Sequence, residues 1–359
     1  MRLGIVTGSL GGGGAERQAA IWTRLCAEQG HDVTAITIWD TNPAVELPDV
    51  RIVHMPKARV TDLATIAWRL RKLESELDAI VAFEPFLGFC CALARLRIPW
   101  MIVTGKVPAH LQADSRMPMG VYRWAFDRAT LASAPNQGMI DSYREFGFRS
   151  AKPWMLIPNI AESDAFIESS PQREGILFVG RLVPVKNPML AVESAAAVPA
   201  PLTLLGAGVL QPEIERAIGA GNYDIPARIQ PFTGEPWKVY SRHRVLVVTS
   251  LYESFGNVII ESLAAGTPVV SVDCDLGPRE IIGDASYSHL TESSPDSLAT
   301  ALSRVLDRPY SQAEETECRT IAERYRPEAV TPLILEAVDR LQELANRSPR
   351  SARATKQSA

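Results

Sequence analysis

The stretch Val245–Ile282, with the sequence VLVVTSLYESFGNVIIESLAAGTPVVSVDCDLGPREII, decides the fold of this chain. Val245–Thr249 is a short β-branched run, which is typical of a buried parallel strand. A turn follows, and Gly256–Ala265 has a helical pattern that Gly266 can end. A second apolar run occupies Val269–Val272. The order strand, loop, helix, strand predicts one βαβ unit, and such units bind ligands in loops at the carboxyl ends of their strands.

Two carboxylates flank the beginning of this predicted helix. Glu253 lies in the loop and Glu261 lies within the helix, roughly 12 Å further along the axis at about 1.5 Å per residue. Between them Phe255, Gly256 and Asn257 begin the helix, where free N–H groups and the positive dipole end favour an anion. The order carboxylate, anion site, carboxylate suits a ligand that contains a sugar, a diphosphate and a ribose in the same order. The alternative is that Glu253 caps the helix and Glu261 is solvated.

A second group of charges follows the predicted strand Ile176–Val179. Arg181 and Lys186 lie in its carboxyl-terminal loop, before an Asn187-Pro188 pair that can begin a helix. A guanidinium fork and an ammonium point charge can grip a diphosphate together. The alternative is two exposed charges on a loop. A further strand ends near Gly234, which we expect near a nucleotide base.

The first half of the chain also begins with a strand and a glycine-rich loop. Leu3–Thr7 is a predicted strand, and the loop that follows contains Gly13 and Gly14 before a helix over Arg17–Gln29. Such a loop lets the backbone approach a phosphate. Its spacing is neither G-x-G-x-x-G nor a Walker A motif, so a merely flexible loop is the alternative.

The loop after the predicted strand Trp100–Thr104 contains Lys106 and His110. Both are candidates for binding or activating an acceptor. Each also has a purely structural interpretation, because a single His or Lys in a loop is not a motif by itself.

The residues Glu253-Ser-Phe-Gly-Asn-Val-Ile-Ile-Glu261 resemble the E-x7-E signature of retaining nucleotide-sugar glycosyltransferases with the GT-B fold, glycosyltransferase family 4 (group 1). The following Ala-Gly-Thr-Pro-Val-Val and Gly-Pro-Arg-Glu runs resemble that family too. The resemblance implies that Glu253 holds donor-sugar hydroxyls and that Glu261 holds the ribose diol. It also implies that Arg181 and Lys186 neutralise the leaving diphosphate. The catalytic candidates are thus Arg181, Lys186 and Glu253, and the donor-binding candidates are Gly13, Gly14, Gly234, Phe255, Gly256, Asn257 and Glu261.

The fold class implied by the resemblance is α/β, with two Rossmann-like domains facing across a cleft and a C-terminal helix crossing back to the first domain. We expect an acceptor-side domain over residues 1–165 together with the helix at 327–346, and a nucleotide-sugar-binding domain over 166–326. The Ser-, Arg- and Lys-rich tail over 347–359 is expected to be disordered. Ala161–Glu174 is the predicted linker.

Composition limits the remaining function classes. The chain has 359 residues, enough for two domains, and a net charge of −4 that does not favour nucleic acid. Five cysteines and an N-terminus without a long apolar core predict a reduced, cytoplasmic protein without a signal peptide. Ile80–Val103 is the longest apolar region, but charges and prolines interrupt it, so no membrane span is predicted.

One predicted helix, Thr61–Leu77, carries Arg69, Arg71 and Lys72 near its later turns. Cations near a helix C-terminus are favourable on a solvated face. The other interpretation is an interfacial patch for anionic lipid, with peripheral contact at the inner face of the membrane.

Metal and cofactor requirements follow from the same motifs. Asp273-Cys-Asp275 resembles a D-x-D metal motif of another glycosyltransferase fold, but it follows a strand in a different pattern, and we interpret it as a chance match. We therefore predict no metal and no cofactor apart from the nucleotide-diphosphate sugar, which is the donor substrate.

The predicted function is retaining transfer of a sugar from that donor to a glycan or lipid-linked acceptor in polysaccharide or glycolipid biosynthesis. Two alternatives stay open. A sugar-nucleotide epimerase on the same fold would convert the donor without an acceptor. A non-catalytic scaffolding module is suggested by the loop at Lys106 and His110, which matches no signature.

Overall fold

The computed structural model describes residues 1–39, 43, 46–47, 49–56, 62–114, 117–148, 153–167, 172–221, 223, 225–274, 276–283 and 285–347. The chain divides into two compact units, Met1–Asn159 with the chain from Val330 onward, and Ile160–Ala329. Asp275 of the D-x-D sequence and nearly all of the predicted tail, residues 348–359, lie outside the described residues.

The first unit is built on a seven-stranded sheet with the order β3-β2-β1-β4-β5-β6-β7. All of its strand pairs are parallel. Apolar runs such as AIVAF in β4 are buried throughout, as expected of strands covered on both faces. The strands are β1 (Arg2–Thr7), β2 (Asp32–Thr37), β3 (Arg51–His54), β4 (Ala79–Phe83), β5 (Trp100–Val103), β6 (Leu131–Ala134) and β7 (Trp154–Leu156).

Helices connect these strands in the part of this unit that the structure describes. They are α1 (Gly14–Glu28), α2 (Asp62–Leu73), α3 (Pro85–Leu93), α4 (Pro108–Asp114), α5 (Met119–Arg128) and α6 (Gln137–Glu145). The helix α5 ends at Arg128. The backbone becomes extended at Ala129, and the N–H of Thr130 donates to the carbonyl of Trp100 over 2.7 Å, which starts the β5–β6 ladder.

The second unit has a six-stranded parallel sheet with the order β10-β9-β8-β11-β12-β13. Side chains of β8 alternate between two core clusters, because successive residues of a strand point to opposite faces. Ile176 and Phe178 pack on one face, and Leu177 and Val179 on the other. The strands are β8 (Ile176–Val179), β9 (Leu202–Leu205), β10 (Ala227–Gln230), β11 (Val245–Val248), β12 (Val269–Val272) and β13 (His289–Thr291).

Helices accompany this second sheet in the described ranges of its unit. They are α7 (Pro188–Ala195), α8 (Gln211–Gly219), α9 (Pro236–Tyr240), α10 (Asn257–Ala264), α11 (Gly277–Ile282), α12 (Pro295–Leu306) and α13 (Gln312–Ala322), and short 3-10 turns occupy Ser163–Ala165, Pro184–Lys186 and Glu323–Tyr325. The βαβ unit predicted from the opening stretch is confirmed as β11, α10 and β12.

The final helix, α14 (Pro327–Asn346), has the predicted bounds and belongs to the first unit from Val330 onward. Its buried residues recur every three or four positions, as expected of one apolar stripe on a helix. They are Val330, Ile334, Ala337, Val338 and Leu341.

The predicted linker, Ala161–Glu174, is wrong for its described residues, 161–167 and 172–174. Ala161 and Ala165 are buried in the core of the second unit, and the N–H of Ala161 donates to the carbonyl of Tyr325 over 2.8 Å. Arg173 is buried as well and donates to the carbonyl of Ala265 over 2.7 Å. Small and polar residues here serve close packing and buried hydrogen bonds rather than flexibility.

Two further expectations can be compared with the structure. All five cysteines are buried free thiols, so no disulfide framework forms. Within the described ranges, no helix is both long enough and apolar enough to cross a membrane.

A buried ion pair gives a test of the second unit. The Arg244 guanidinium donates to both oxygens of Glu314, from Nη2 to Oε2 over 3.0 Å, and both side chains are nearly inaccessible. Glu314→Ala leaves a buried charge uncompensated, so we expect a loss of about 3–5 kcal/mol in unfolding free energy. Glu336→Ala removes the exposed partner of Arg340 and should cost at most about 1 kcal/mol. Urea unfolding measures both, and equal losses would contradict the prediction.

Candidate active site

Lys186 and Glu253 meet at the reversal of strand order in the second sheet. Lys186 lies in the loop after β8, and its Nζ is 2.7 Å from both carboxylate oxygens of Glu253, in the loop after β11. The two loops are also joined through the backbone, because the Thr249 hydroxyl donates to the carbonyls of Lys186 and Asn187 over 2.9 Å. The structure therefore holds a cation and a carboxylate together at the edge where α/β sheets bind ligands.

The first turn of α10 lies directly after Glu253 in the chain. Gly256 is its N-cap with φ of +103°, and a Cβ there would also approach Ile259 Cδ1 to 2.8 Å, so only glycine fits without strain. Phe255 is buried against the edge of the Tyr325 ring, and Asn257 is the first helical residue. The N-cap is therefore Gly256, which contradicts the alternative in which Glu253 is the cap.

Gly277, at the beginning of α11, fixes the loop that carries Glu253. Its N–H donates to the Glu253 carbonyl over 3.0 Å, and a Cβ at this position would come within 2.1 Å of the Phe255 carbonyl oxygen. The Gly-Pro-Arg-Glu run therefore has a structural reason to begin with glycine. A larger residue would push away the backbone that positions Glu253.

Glu261 is buried, which contradicts its interpretation as a solvated helix residue. The Tyr240 hydroxyl donates to its Oε2 over 3.1 Å. A buried carboxylate must be hydrogen-bonded, so Tyr240 both stabilises and orients Glu261. The sequence contains no signal that marks Tyr240, because the two residues meet only through the packing of α9 on α10.

Two other predicted residues of this unit are exposed in loops. Arg181 follows β8 directly, in the same loop as Lys186. Gly234 lies between β10 and α9, where a Cβ would meet no described atom within 4 Å. Packing does not require a glycine at that position.

In the first unit, Gly13 is the N-cap of α1 and Gly14 its first residue. A Cβ on Gly13 would come within 2.2 Å of Glu16 Oε2, so the Glu16 carboxylate lies back over this glycine. A carboxylate near the first turn interacts favourably with the helix dipole.

Lys106 and His110 both follow β5, the neighbour of β4. The carbonyl of Lys106 accepts a hydrogen bond from the Tyr143 hydroxyl over 2.9 Å, which anchors the loop backbone. His110 lies on the short helix α4. Both side chains are half-buried. The structure thus places these two candidates at the carboxyl end of the sheet but assigns them no chemistry.

Glu84 is a residue of this edge that our sequence analysis missed. It follows β4 directly and has φ of +78°, an uncommon backbone conformation for a residue other than glycine. Its carboxylate accepts the Gly105 N–H over 3.2 Å. Burial raises the pKa of Glu84 to about 7, against the opposing effect of the Gly105 hydrogen bond, and the nearby Glu16 charge raises this pKa further. The sequence shows an apolar run followed by Glu-Pro, but nothing there reveals the strained backbone.

Asp273 is the aspartate of the D-x-D sequence that the structure describes. Asp273 forms an ion pair with Arg279, with 3.1 Å from Nε to Oδ1. Among the residues that the structure describes, no three or more His, Cys, Asp or Glu side chains cluster as metal ligands would.

Comparison with known sequences assigns the chain to a family. The profile described as glycosyl transferases group 1 matches residues 160–343, more than half of the chain. The profile of the glycosyl transferase 4-like domain matches residues 13–159. The chain belongs to the group 1 glycosyl transferases, and it is a glycosyltransferase.

Two relatives from Campylobacter jejuni align over most of the chain. One, named N-acetylgalactosamine-N,N'-diacetylbacillosaminyl-diphospho-undecaprenol 4-alpha-N-acetylgalactosaminyltransferase, is 26% identical over 90% of this chain and 95% of its own length. The other, named GalNAc-alpha-(1->4)-GalNAc-alpha-(1->3)-diNAcBac-PP-undecaprenol alpha-1,4-N-acetyl-D-galactosaminyltransferase, is 24% identical over 84% and 87%.

Solved structures agree in fold. Sucrose-phosphate synthase from Thermosynechococcus elongatus superposes with a TM-score of 0.82 at 18% identity, covering 95% of this chain and 98% of that one. Anabaena HepE in complex with UDP has a TM-score of 0.80 at 18% identity, covering 94% and 100%. These similarities show the GT-B fold.

The raised pKa of Glu84 predicts how stability depends on pH. The neutral acid is favoured in the folded state, so ionisation of Glu84 destabilises the fold increasingly from its ordinary pKa of 4.5 up to about 7, and fully above that. Glu84→Gln keeps an oxygen for Gly105 and cannot ionise. We expect it to raise the melting temperature more at pH 8 than at pH 5. Glu145→Gln, on the exposed end of α6, controls for loss of a surface charge. A gain that is equal at both pH values would contradict the prediction.

Proposed function

We propose that this enzyme transfers a sugar from a nucleoside-diphosphate sugar to a glycan or lipid-linked acceptor with retention of anomeric configuration. The observation that carries the proposal is the Lys186–Glu253 pair at the adjoining ends of β8 and β11, directly before the N-terminus of α10. Cations and free helix N–H groups at such an edge suit a diphosphate, and a carboxylate beside them suits sugar hydroxyls.

These charges stabilise the diphosphate as it leaves the sugar. When the bond from the anomeric carbon to phosphate breaks, positive charge develops on the sugar ring and negative charge on the leaving diphosphate. Arg181, Lys186 and the first N–H groups of α10 stabilise the departing charge. One such preorganised donor is worth about 3 kcal/mol of barrier, so three groups account for a large rate enhancement.

Lys186 and Glu253 form a charge-balanced pair before any donor binds. A bound diphosphate gives Lys186 a second anionic partner, which leaves Glu253 oxygens available to hydroxyls of the donor sugar. Glu261, oriented by Tyr240, accepts hydrogen bonds from the ribose diol. Retention is proposed from the E-x7-E resemblance, and it requires no covalent intermediate on a side chain.

The acceptor is proposed to be lipid-linked because the names of both C. jejuni relatives describe transfer to a sugar on diphospho-undecaprenol. Such an acceptor places the enzyme at the inner surface of a membrane, as a cytoplasmic protein in peripheral contact. We propose no resident metal ion, since Arg181 and Lys186 supply the positive charge and Asp273 is paired with Arg279.

The layer of α2, α3 and α5 provides a surface that fits this location. Trp68 on α2 is 54% exposed, and the ammonium of Lys72 lies 4.1 Å from its ring centroid. Trp124 on α5 has the Arg128 guanidinium 4.2 Å from its ring. Leu93 at the end of α3 is also exposed. Aromatic rings accompanied by cations are typical of surfaces that lie in a headgroup region with anionic lipid.

The predicted basic patch on α2 is smaller than its sequence indicates. Arg71 is used structurally, because it pairs with the buried Glu74 over 2.7 Å and also donates to the Arg95 carbonyl. Arg69 and Lys72 are the exposed cations of this helix turn. The proposed lipid contact therefore rests on these two cations and the Trp68 ring.

Donor binding is the first test. We expect one of UDP, GDP, ADP or dTDP, or a sugar derivative of it, to raise the melting temperature, with about 2.7 kcal/mol of stabilisation at 100 times its dissociation constant. Arg181→Ala should abolish the shift and Glu261→Gln should weaken it, because they remove a diphosphate contact and a ribose acceptor. The measurement is made with and without EDTA, and the proposal expects no difference.

The matched control is Arg216→Ala, which removes an exposed arginine from α8 and should leave the shift unchanged. No shift with any nucleotide in folded wild-type protein would overturn the proposed donor site. Conversion of the donor to an isomer without any acceptor would instead identify an epimerase. The NMR coupling of the anomeric proton in the product decides retention.

The membrane contact predicts binding to anionic vesicles. Trp68→Ala combined with Lys72→Ala removes an interfacial ring and a cation worth about 1 kcal/mol near an anionic surface, so we expect at least a fivefold loss of partitioning. Sedimentation with phosphatidylglycerol-containing vesicles measures it, with Arg216→Ala as the charge-matched control in the second unit. Equal partitioning onto anionic and purely zwitterionic vesicles would count against the lipid contact.

A further inference from the structure

Trp39 forms an exposed aromatic platform at the carboxyl end of β2. More than half of its side chain is accessible, at 56%. The ring is stacked at 17° on Phe86, with 6.5 Å between centroids. It also lies over Gly8, where a Cβ would fall within 2.0 Å of Trp39 Cζ3. The Trp39 N–H donates to the Gly8 carbonyl over 2.7 Å, so the ring is fixed in place although it is exposed.

Glu84 comes two residues before Phe86, the ring on which Trp39 stacks. Glu84 directly follows β4 and has a strained φ of +78°, and strain of this kind persists at functional sites where the surrounding structure fixes it. Among the described residues, the Gly105 N–H is the hydrogen bond that reaches its carboxylate. A carboxylate has about four acceptor positions, so Glu84 retains capacity for hydroxyl groups.

The topology of the first sheet brings these residues to one place. Trp39 follows β2, Gly8 follows β1 and Glu84 follows β4, and these three strands are neighbours in the order β2-β1-β4. The strand order reverses between β1 and β4. The crevice outside the carboxyl ends at such a reversal is where open parallel sheets bind ligands.

We propose that Trp39, Phe86 and Glu84 form the acceptor subsite and that its ligand is a pyranose ring. A pyranose has an apolar C–H face and a rim of hydroxyls. The face packs on the Trp39 indole, which offers a large rigid apolar surface, and hydroxyls of the rim donate to Glu84. This inference rests on the proposed function, because it names the acceptor-side ligand of the same transferase.

An exposed tryptophan alone does not define a site, since single exposed apolar residues are ordinary on protein surfaces. Trp68 is equally exposed at 54%, but it is accompanied by the cation of Lys72. Trp39 differs because it packs against the Phe86 ring and the Gly8 backbone. It also follows a strand next to the strand-order reversal where Glu84, with its strained backbone, follows β4. Trp68 is therefore the matched control, because it is similarly exposed but lies outside the proposed subsite.

The experiment uses the full chain labelled with 5-fluorotryptophan, in which Trp39→Phe and Trp68→Phe assign two of the seven tryptophan signals. The probes are the methyl α-glycosides of glucose, galactose, N-acetylglucosamine and N-acetylgalactosamine. We expect saturable movement of the Trp39 fluorine signal with at least one of them, and no movement of the Trp68 signal. A Trp39 signal that stays fixed with all four glycosides overturns the subsite, and so does equal movement of both signals.

Variants separate the subsite from the donor site. Trp39→Ala should weaken the dissociation constant of the responding glycoside, measured by saturation-transfer NMR, about tenfold, and Glu84→Gln should weaken it several-fold. Trp39→Phe keeps a ring and should restore part of the affinity. Thermal stabilisation by the donor nucleotide should be unchanged in all three variants, which also shows that they are folded.

The two proposals then fail in different ways. Absence of nucleotide stabilisation in the wild-type protein defeats the proposed transferase site. Intact nucleotide stabilisation together with glycoside affinity unchanged by Trp39→Ala defeats the subsite alone. A Trp39 signal that moves with anionic vesicles but with no glycoside assigns the platform to the membrane surface and overturns the inference.

Discussion

The reversal of strand order within each parallel sheet is the constraint on which both sites depend. In the second unit, β8 lies between β9 and β11, so the strand order reverses there, and open α/β sheets bind their ligands at such a reversal. Lys186 Nζ lies 2.7 Å from Glu253 across this reversal, although the two residues are 67 positions apart in the sequence. The backbone bond from Leu251 N–H to the Val185 carbonyl then fixes the two loops against each other.

Three glutamates near these edges lie in different environments, and their side chains therefore have different roles. Glu253 forms an ion pair with Lys186, with 2.7 Å between Nζ and Oε1. Glu261 is buried and has the Tyr240 hydroxyl as a partner, which orients it. Glu84 has a single backbone donor and no ion pair among the described contacts, so burial dominates and raises its pKa to about 7. Charge, hydrogen bonding and desolvation thus act separately on three carboxylates.

The sequence predicts the parts of this arrangement that depend on local pattern. Apolar β-branched runs predict β8, β11 and β12, and the spacing after β8 assigns Arg181 and Lys186 to one loop. Contacts between distant elements leave no such pattern. The Tyr240–Glu261 bond and the Trp39–Phe86 stack arise only when helices pack on the sheet. The predicted linker failed for the same reason, because small and polar residues are equally compatible with a flexible segment and with close packing.

The two sheets share one topology but carry different chemistry at the same edge. In the second unit, cations and the N-terminus of α10 meet there, which suits the anionic half of a nucleotide sugar. In the first unit, Trp39 and Glu84 follow the strands on either side of β1, and an aromatic ring and a carboxylate at one edge suit a neutral polyhydroxylated ring. The backbone requirement is the same in both units, a reversal of strand order that brings loop side chains to one edge. Under the two proposals, a few loop side chains at that edge select the ligand, while the parallel sheets hold those side chains in place.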